Sequence, residues 1–145
     1  MKSLKKFLEE KGYIKIPLTL TSTNHFELTA AINGVDGRFI LDTGASSTCV
    51  GFDAIEHFKL TAETSEIKAS GAGATRMDTQ IAKKNLISIA RWKKKRVALV
   101  LFNLTHVNQA LTEHEALPVH GIIGADILKK GKAVIDYDKK LLFLK

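Results

Sequence analysis

Cysteine is almost absent from this chain: Cys49 stands alone among 145 residues, so no internal disulfide can form. A fold without that support suits a reducing compartment. Long apolar runs are absent as well. No stretch approaches the roughly 18 residues that a membrane span needs, and residues 1–12 lack the continuous apolar core of a secretory signal. A soluble, cytoplasmic protein with no membrane partner is expected. Metal-ligand spacing is missing too. His25, His57, His106, His114 and His120 never fall in a pattern such as His-x-x-x-His, and one cysteine adds little, so no metal or other cofactor is expected. Proline occurs twice, at positions 17 and 118. Pro17 places its strand at an edge or beside a bulge, and Pro118 closes a polar connection.

What is present is a globular mixture. Hydrophobic residues make up 45% and charged residues 26%, which argues against disorder. Splitting 145 residues would leave each half too small a core, so one folded domain is expected, over residues 13–145, with residues 1–12 as a helical extension. The formal charge is +7, and much of it sits in Lys93-Lys94-Lys95-Arg96 and in Lys129, Lys130 and Lys132. A nucleic-acid face calls for basic residues spread over one surface and interleaved with aromatics; only Arg91 and Trp92 hint at that. The basic run reads as a solvated turn, and no nucleic-acid partner is expected.

Along the chain, Leu4, Phe7 and Leu8 share one face of a short amphipathic helix ended by Gly12. Ile14, Ile16, Leu18 and Leu20 then alternate as in a half-buried strand. Residues 25–41 read as a hairpin turning at Asn33-Gly34-Val35-Asp36-Gly37. Extended structure resumes at 50–52, and Asp53 is placed to cap a short helix through residues 54–58. Residues 66–77 suggest a second hairpin with a glycine-rich tip. Strands are expected over 80–90 and 96–102, joined by the basic run. Residues 103–119 form a long connection of weak helical character. A helix over 125–130 stops at Gly131, and 133–137 with 140–144 form a closing hairpin. Short strands with regular turns and few helices indicate a mainly β barrel or sandwich.

One constellation carries chemistry. Phe39-Ile40-Leu41 runs straight into Asp42-Thr43-Gly44-Ala45-Ser46. A carboxylate at the end of a buried strand is costly unless it is hydrogen-bonded or shares a proton. Gly44 lets backbone N–H groups approach it, and Thr43 offers a hydroxyl that can lock the loop. Taken alone, the triplet also fits an acid capping a turn. Cys49, seven residues on, is expected on a packed strand rather than as a nucleophile. Ser46 and Ser47 lack a base partner, the Glu113-His114-Glu115 cluster lies on a polar loop, and Asp136 and Asp138 read as turn chemistry.

In its context the sequence resembles the retropepsin-like aspartic peptidases, the single-domain relatives of pepsin. Residues 39–46 match the family's Asp-Thr-Gly element. Ser70-Gly71-Ala72-Gly73-Ala74 loosely matches its flap, and Ile122-Ile123-Gly124-Ala125-Asp126-Ile127-Leu128 matches the hydrophobic-hydrophobic-glycine element that leads into a short helix. The resemblance spans roughly residues 13–145. It implies a closed acid-protease barrel with a flap hairpin, one short C-terminal helix and a short N-terminal helix. It also implies an aspartic endopeptidase acting on peptide or protein substrates. Asp42 would pair with Asp42 of a second copy, because the chain holds one triplet and is too short for two lobes. Thr43 would brace the two loops across the dimer, and Gly44 and Ala45 would support them. Gly71, Ala72 and Gly73 would close over bound peptide, and Gly124 would pack beneath the active-site loop. Asp126 would start its helix, in a position to cap it, without a catalytic role. Because Ala45 cannot hydrogen-bond the carboxylate as a hydroxyl would, activity is expected at mildly acidic to near-neutral pH. A catalytically silent peptide-binding or dimerisation module of the same fold is the first alternative, and a basic nucleic-acid-associated protein, retained on DNA or RNA through residues 93–96, is the second and weaker one. The flap has fewer glycines than viral members and no pepsin-type tyrosine. The N-terminus starts as a helix where viral enzymes use both chain ends in the dimer sheet.

Overall fold

The computed structural model describes the backbone of residues 1–71 and 74–145, and the side chains outside 65–77. The chain opens with helix α1 (Leu4–Glu10), capped by Ser3 Oγ, which accepts the Lys6 N–H at 3.1 Å. Gly12, at φ 92°, turns the chain out of it. Of the three apolar residues expected on one face, only Leu8 is buried; Leu4 and Phe7 are each 46% exposed. A seven-residue helix against a sheet edge has room to bury one position.

The alternating stretch after it divides into β1 (Ile14–Pro17) and β2 (Thr19–Leu20), which join different sheets. The hairpin β3 (Phe26–Ile32) and β4 (Val35–Leu41) turns on Asn33 and Gly34 alone, both at positive φ, as a tight two-residue turn requires. β5 (Cys49–Gly51) leads into a 3-10 turn over Phe52–Ala54. Asp53 lies inside that turn, and Gly51 occupies the cap with no side-chain bond, so the expected Asp53 cap is not formed. β6 (Glu63–Gly71) and β7 (Ala74–Ile89) form the second hairpin. β7 continues unbroken where separate strands were expected. β8 (Trp92–Phe102) follows a two-residue turn at Ala90 and Arg91. The basic run therefore lies within a strand, not in the connection. α2 (Thr105–Glu113) is a formed helix whose Leu111 packs with Ile40 and Val119 over the outer side of β4. β9 (Gly121–Ile123), α3 (Ala125–Lys130), β10 (Val134–Asp136) and β11 (Leu141–Leu144) complete the chain.

The larger sheet runs β2-β3-β4-β9-β5-β8-β7-β6, and β3 also pairs with β7 through Ala31↔Ser88 and Ile32↔Ile87. That pairing closes β3, β4, β9, β5, β8 and β7 into a six-stranded barrel. A separate sheet, β1-β11-β10, contributes Ile16, Leu142 and Leu144 to the same core as Phe39, Ile87 and Leu101. Closure removes most of the sheet edges that would otherwise recruit other strands. Among the described residues no helix is long and apolar enough to cross a membrane.

β7 and β8 carry a double irregularity. Ala82 faces Leu99, Asn85 faces Val97, and Ile87 faces Lys94, so each strand holds one extra residue, on opposite sides of Asn85. Lys84 and Arg96 absorb them at φ 61° and 58°, a conformation that costs a non-glycine residue about 1 kcal/mol. Asn85 is buried and pins the site. Its Nδ2 donates to Ala82 O at 3.0 Å, and its Oδ1 accepts from Asn33 Nδ2 at 3.0 Å.

Candidate active site

Leu41 is buried at the end of β4, and the next residue, Asp42, is exposed. Strand order explains the loop between them and β5. β9 lies between β4 and β5, parallel to the first (Leu41↔Ile123) and antiparallel to the second (Cys49↔Ile122). Residues 42–48 must therefore pass over the end of β9 and the start of α3 before re-entering the barrel. Each crossing point is hydrogen-bonded. The Asp42 N–H donates to Ile123 O at 3.0 Å, and the Ala125 N–H donates to Ala45 O at 2.7 Å. The Gly124 N–H donates to Thr48 Oγ1 at 3.0 Å.

Thr48 is fully buried and binds a carboxylate. Its hydroxyl donates to Asp126 Oδ1 at 2.7 Å and its N–H to the same oxygen at 2.9 Å. The Ile127 N–H adds a third bond to that oxygen at 2.8 Å. Hydrogen bonds to a carboxylate are stronger than neutral ones, so Asp126 fastens α3 to the loop through Thr48 and also satisfies a free N–H of the first helical turn, that of Ile127. Gly124 is the N-cap, without a side-chain bond. A Cβ there would lie 2.7 Å from Ser47 O and 2.8 Å from Ala45 O, so only glycine lets the loop sit this close.

The Asp42 carboxylate is held from within its own loop. Oδ1 accepts the Gly44 N–H at 2.9 Å, and the Ala45 N–H bonds the Asp42 carbonyl at 3.2 Å. Thr43 and Gly44 are exposed, and Ala45 is half-buried. Two clefts meet here. One, of about 430 Å³, reaches Asp42 and Thr43 from Phe26 and Tyr137, whose rings lie 5.1 Å apart. The other, of about 360 Å³, runs from Thr43 along α3. Thr43 and Ile135 line both. Gly71 ends β6 opposite Ala74, while Ala72 and Gly73 lie outside the described residues. The structure thus brings Asp42, Thr43, Gly44, Ala45 and Gly124 into one loop assembly.

Cys49 is buried, and burial foremost, followed by the charges of Asp126 and Asp42, pushes its thiol up to about 12. A neutral thiol on a packed strand is no nucleophile. Among the described residues no group of acids, histidines and cysteine could hold a metal ion.

At the far end of β4, His57 and His120 stack with ring centres 4.7 Å apart, and the Arg38 N–H donates to His120 Nδ1 at 3.0 Å. Burial, then the nearby His57 and Arg38, lower the His120 pKa from its ordinary 6.5. The folded state therefore binds fewer protons than the unfolded chain below that value, and stability rises with pH through the window. Melting temperature is expected to fall as pH drops from neutral to about 5. His120→Asn, which keeps an acceptor for the Arg38 N–H, should flatten that dependence; an unchanged slope would refute the assignment.

A barrel in which β9 is inserted between β4 and β5 beneath an Asp-Thr-Gly loop is the retropepsin-like acid-protease fold. Solved structures share it. A retropepsin-like aspartic protease from Rickettsia conorii superposes with TM-score 0.59 at 20% identity, over 91% of each chain. The retroviral protease-like domain of Ddi1 from Leishmania major gives 0.58 at 17%, over 88% of this chain and 90% of that one. The EIAV protease complexed with the inhibitor HBY-793 gives 0.57 at 19%, over 76% and 90%. The aspartyl protease family profile matches residues 28–127, and the chain belongs to that family. No curated protein matches it.

Proposed function

We propose that this chain is an aspartic endopeptidase active as a homodimer, with a dyad made of two copies of Asp42. The observation that carries the reading is the exposed Asp42 carboxylate, fixed through Oδ1 by the Gly44 N–H on a loop tied to β9 and α3. The chain has one Asp-Thr-Gly triplet, so the second carboxylate has to come from another copy. Two adjacent carboxylates cannot both ionise cheaply, so the pair shares a proton. The ionised member takes a proton from water as it attacks the scissile carbonyl, and the protonated member donates to the carbonyl oxygen. An extended peptide would be held beneath the β6–β7 hairpin as an added strand.

The edge of β10 supports a dimer. β10 pairs only with β11 among the described residues, and its Val134, Ile135 and Asp136 are half-buried. A short apolar edge beside Thr43 is a surface that two-fold pairing would cover. A charge at Ile135, between the two clefts, should block it. Ile135→Lys is expected to weaken dimerisation by about 100-fold or more, the penalty of burying an unpaired charge. It should abolish cleavage of a peptide library at concentrations where wild type is active. Analytical ultracentrifugation and cleavage assays check this. An Ile135→Lys monomer as active as wild type would sink the proposal, and a wild-type dimer that cleaves nothing would leave the silent module.

A further inference from the structure

We infer that the bulged β7–β8 ribbon is a binding surface for the phosphate backbone of nucleic acid, separate from the peptidase site. Residues 79–112 contain seven Lys and Arg and no Asp or Glu. Their formal charge equals the net +7 of the whole chain, so acids and bases balance everywhere else. Folding concentrates this charge further than the sequence does. Lys83 and Lys84 occupy the bulge of β7, while Lys95 and Arg96 occupy the bulge of β8, with Lys93 and Lys94 next along the strand. All six are exposed, as is Arg91 in the turn. None forms an ion pair with a carboxylate among the described residues.

Two features make this more than a solvated face. Lys84 and Arg96 both adopt left-handed backbone, where Gly or Asn would be less strained, and the buried Asn85 is bonded so as to hold both bulges open. The fold keeps an unfavourable geometry at the positions that aim cations outward. Interleaved aromatics serve base stacking, and contact with the phosphate backbone does not need them. Trp92 is indeed withdrawn: it is buried, and its Nε1–H donates to Lys145 O at 3.3 Å. With neither an exposed aromatic nor an exposed apolar anchor among the cations, the ribbon can read no base and insert into no bilayer. Lysines spread along a ribbon suit a polymer with regularly repeated charge, whereas acidic peptide motifs are usually held by arginine clusters. A ribbon of about 20 Å spans a length of duplex carrying on the order of a dozen phosphates, of which about half lie on the near side.

The test is fluorescence anisotropy with a labelled mixed-sequence DNA duplex of about 20 base pairs across a salt series. Wild type is expected to bind with a log-affinity against log-salt slope of about −4 to −5, as four to six phosphate contacts give. A variant carrying Lys93→Gln, Lys94→Gln, Lys95→Gln and Arg96→Asn keeps a residue suited to left-handed backbone at position 96. It should lose more than about tenfold in affinity and flatten the slope by about 3. Glutamine at Lys2, Lys5, Lys6 and Lys11 removes the same net charge and should leave the slope unchanged. Should the first variant fail to fold by circular dichroism, Lys83→Gln with Lys84→Asn takes its place with half the expected change. Absence of wild-type binding would overturn the inference, as would equal losses in both charge-matched variants. Tighter binding to phosphatidylserine vesicles or polyglutamate at matched salt would overturn it as well. None of these readouts depends on peptide hydrolysis.

Discussion

Asp42→Asn is expected to lower kcat/KM for peptide cleavage by roughly ten-thousand-fold, the upper end of what positioned proton transfer contributes, while leaving the fold and the dimer intact. The amide is nearly the same shape, and its Oδ1 can still accept the Gly44 N–H that holds the carboxylate at 2.9 Å. What disappears is a proton that one side chain can give and the other can take. Mixing sharpens the result. If the site needs one Asp42 from each copy, an equal amount of the variant should halve the activity of wild type, because random two-fold assortment pairs half of the wild-type chains with inactive ones. Excess variant should take activity toward zero. A monomer carrying a complete site would show no such poisoning. Steady-state kinetics on mixtures allowed to exchange subunits decide between them.

Local chemistry was readable in advance, and long-range geometry was not. Asn33-Gly34 announces a two-residue turn, alternation over 26–32 announces a half-buried strand, and three apolar residues before Asp42 announce a strand ending in an acid. The helix over 125–130 with Gly131 as its stop follows from the same local rules. The Thr48–Asp126 bond joins residues 78 apart, and nothing near either residue in sequence signals it. The β7–β8 turn misled for a different reason. It uses Ala90 at φ 52° where glycine or asparagine would have marked it, and the four exposed cations 93–96 hide the strand character of β8 until its buried residues from Val97 onward. Bulges are stabilised by contacts such as Asn33 with Asn85, which a local pattern does not contain. Asp126 went unrecognised as a tie because acids near a helix start usually cap it.

Gly121→Ala should produce the largest loss of stability of any single methyl addition. The new Cβ would lie 2.2 Å from Cys49 O and 2.8 Å from the Phe39 ring. Both neighbours are trapped: Phe39 is fully buried, and Cys49 belongs to β5, which pairs with β9 on one side and β8 on the other. Overpacking against side chains costs about 1–3 kcal/mol; a clash with backbone in a closed barrel should exceed that range, lowering the melting temperature by about 10 °C or more. Gly34→Ala is the control. Nothing lies within 4 Å of its Cβ, and only its φ of 83° resists, so its cost should stay near 1 kcal/mol. Gly124→Ala falls between in packing but acts on function. Its methyl would press on Ser47 O and Ala45 O, part of the loop that carries Asp42. That variant should lose activity well beyond its loss of stability, whereas Gly121→Ala, cooled below its melting temperature, should regain most of its activity. Calorimetry paired with kinetics at two temperatures separates the cases. Equal melting temperatures for Gly121→Ala and Gly34→Ala would mean that β9 can shift within the barrel and that its position does not fix the Asp42 loop.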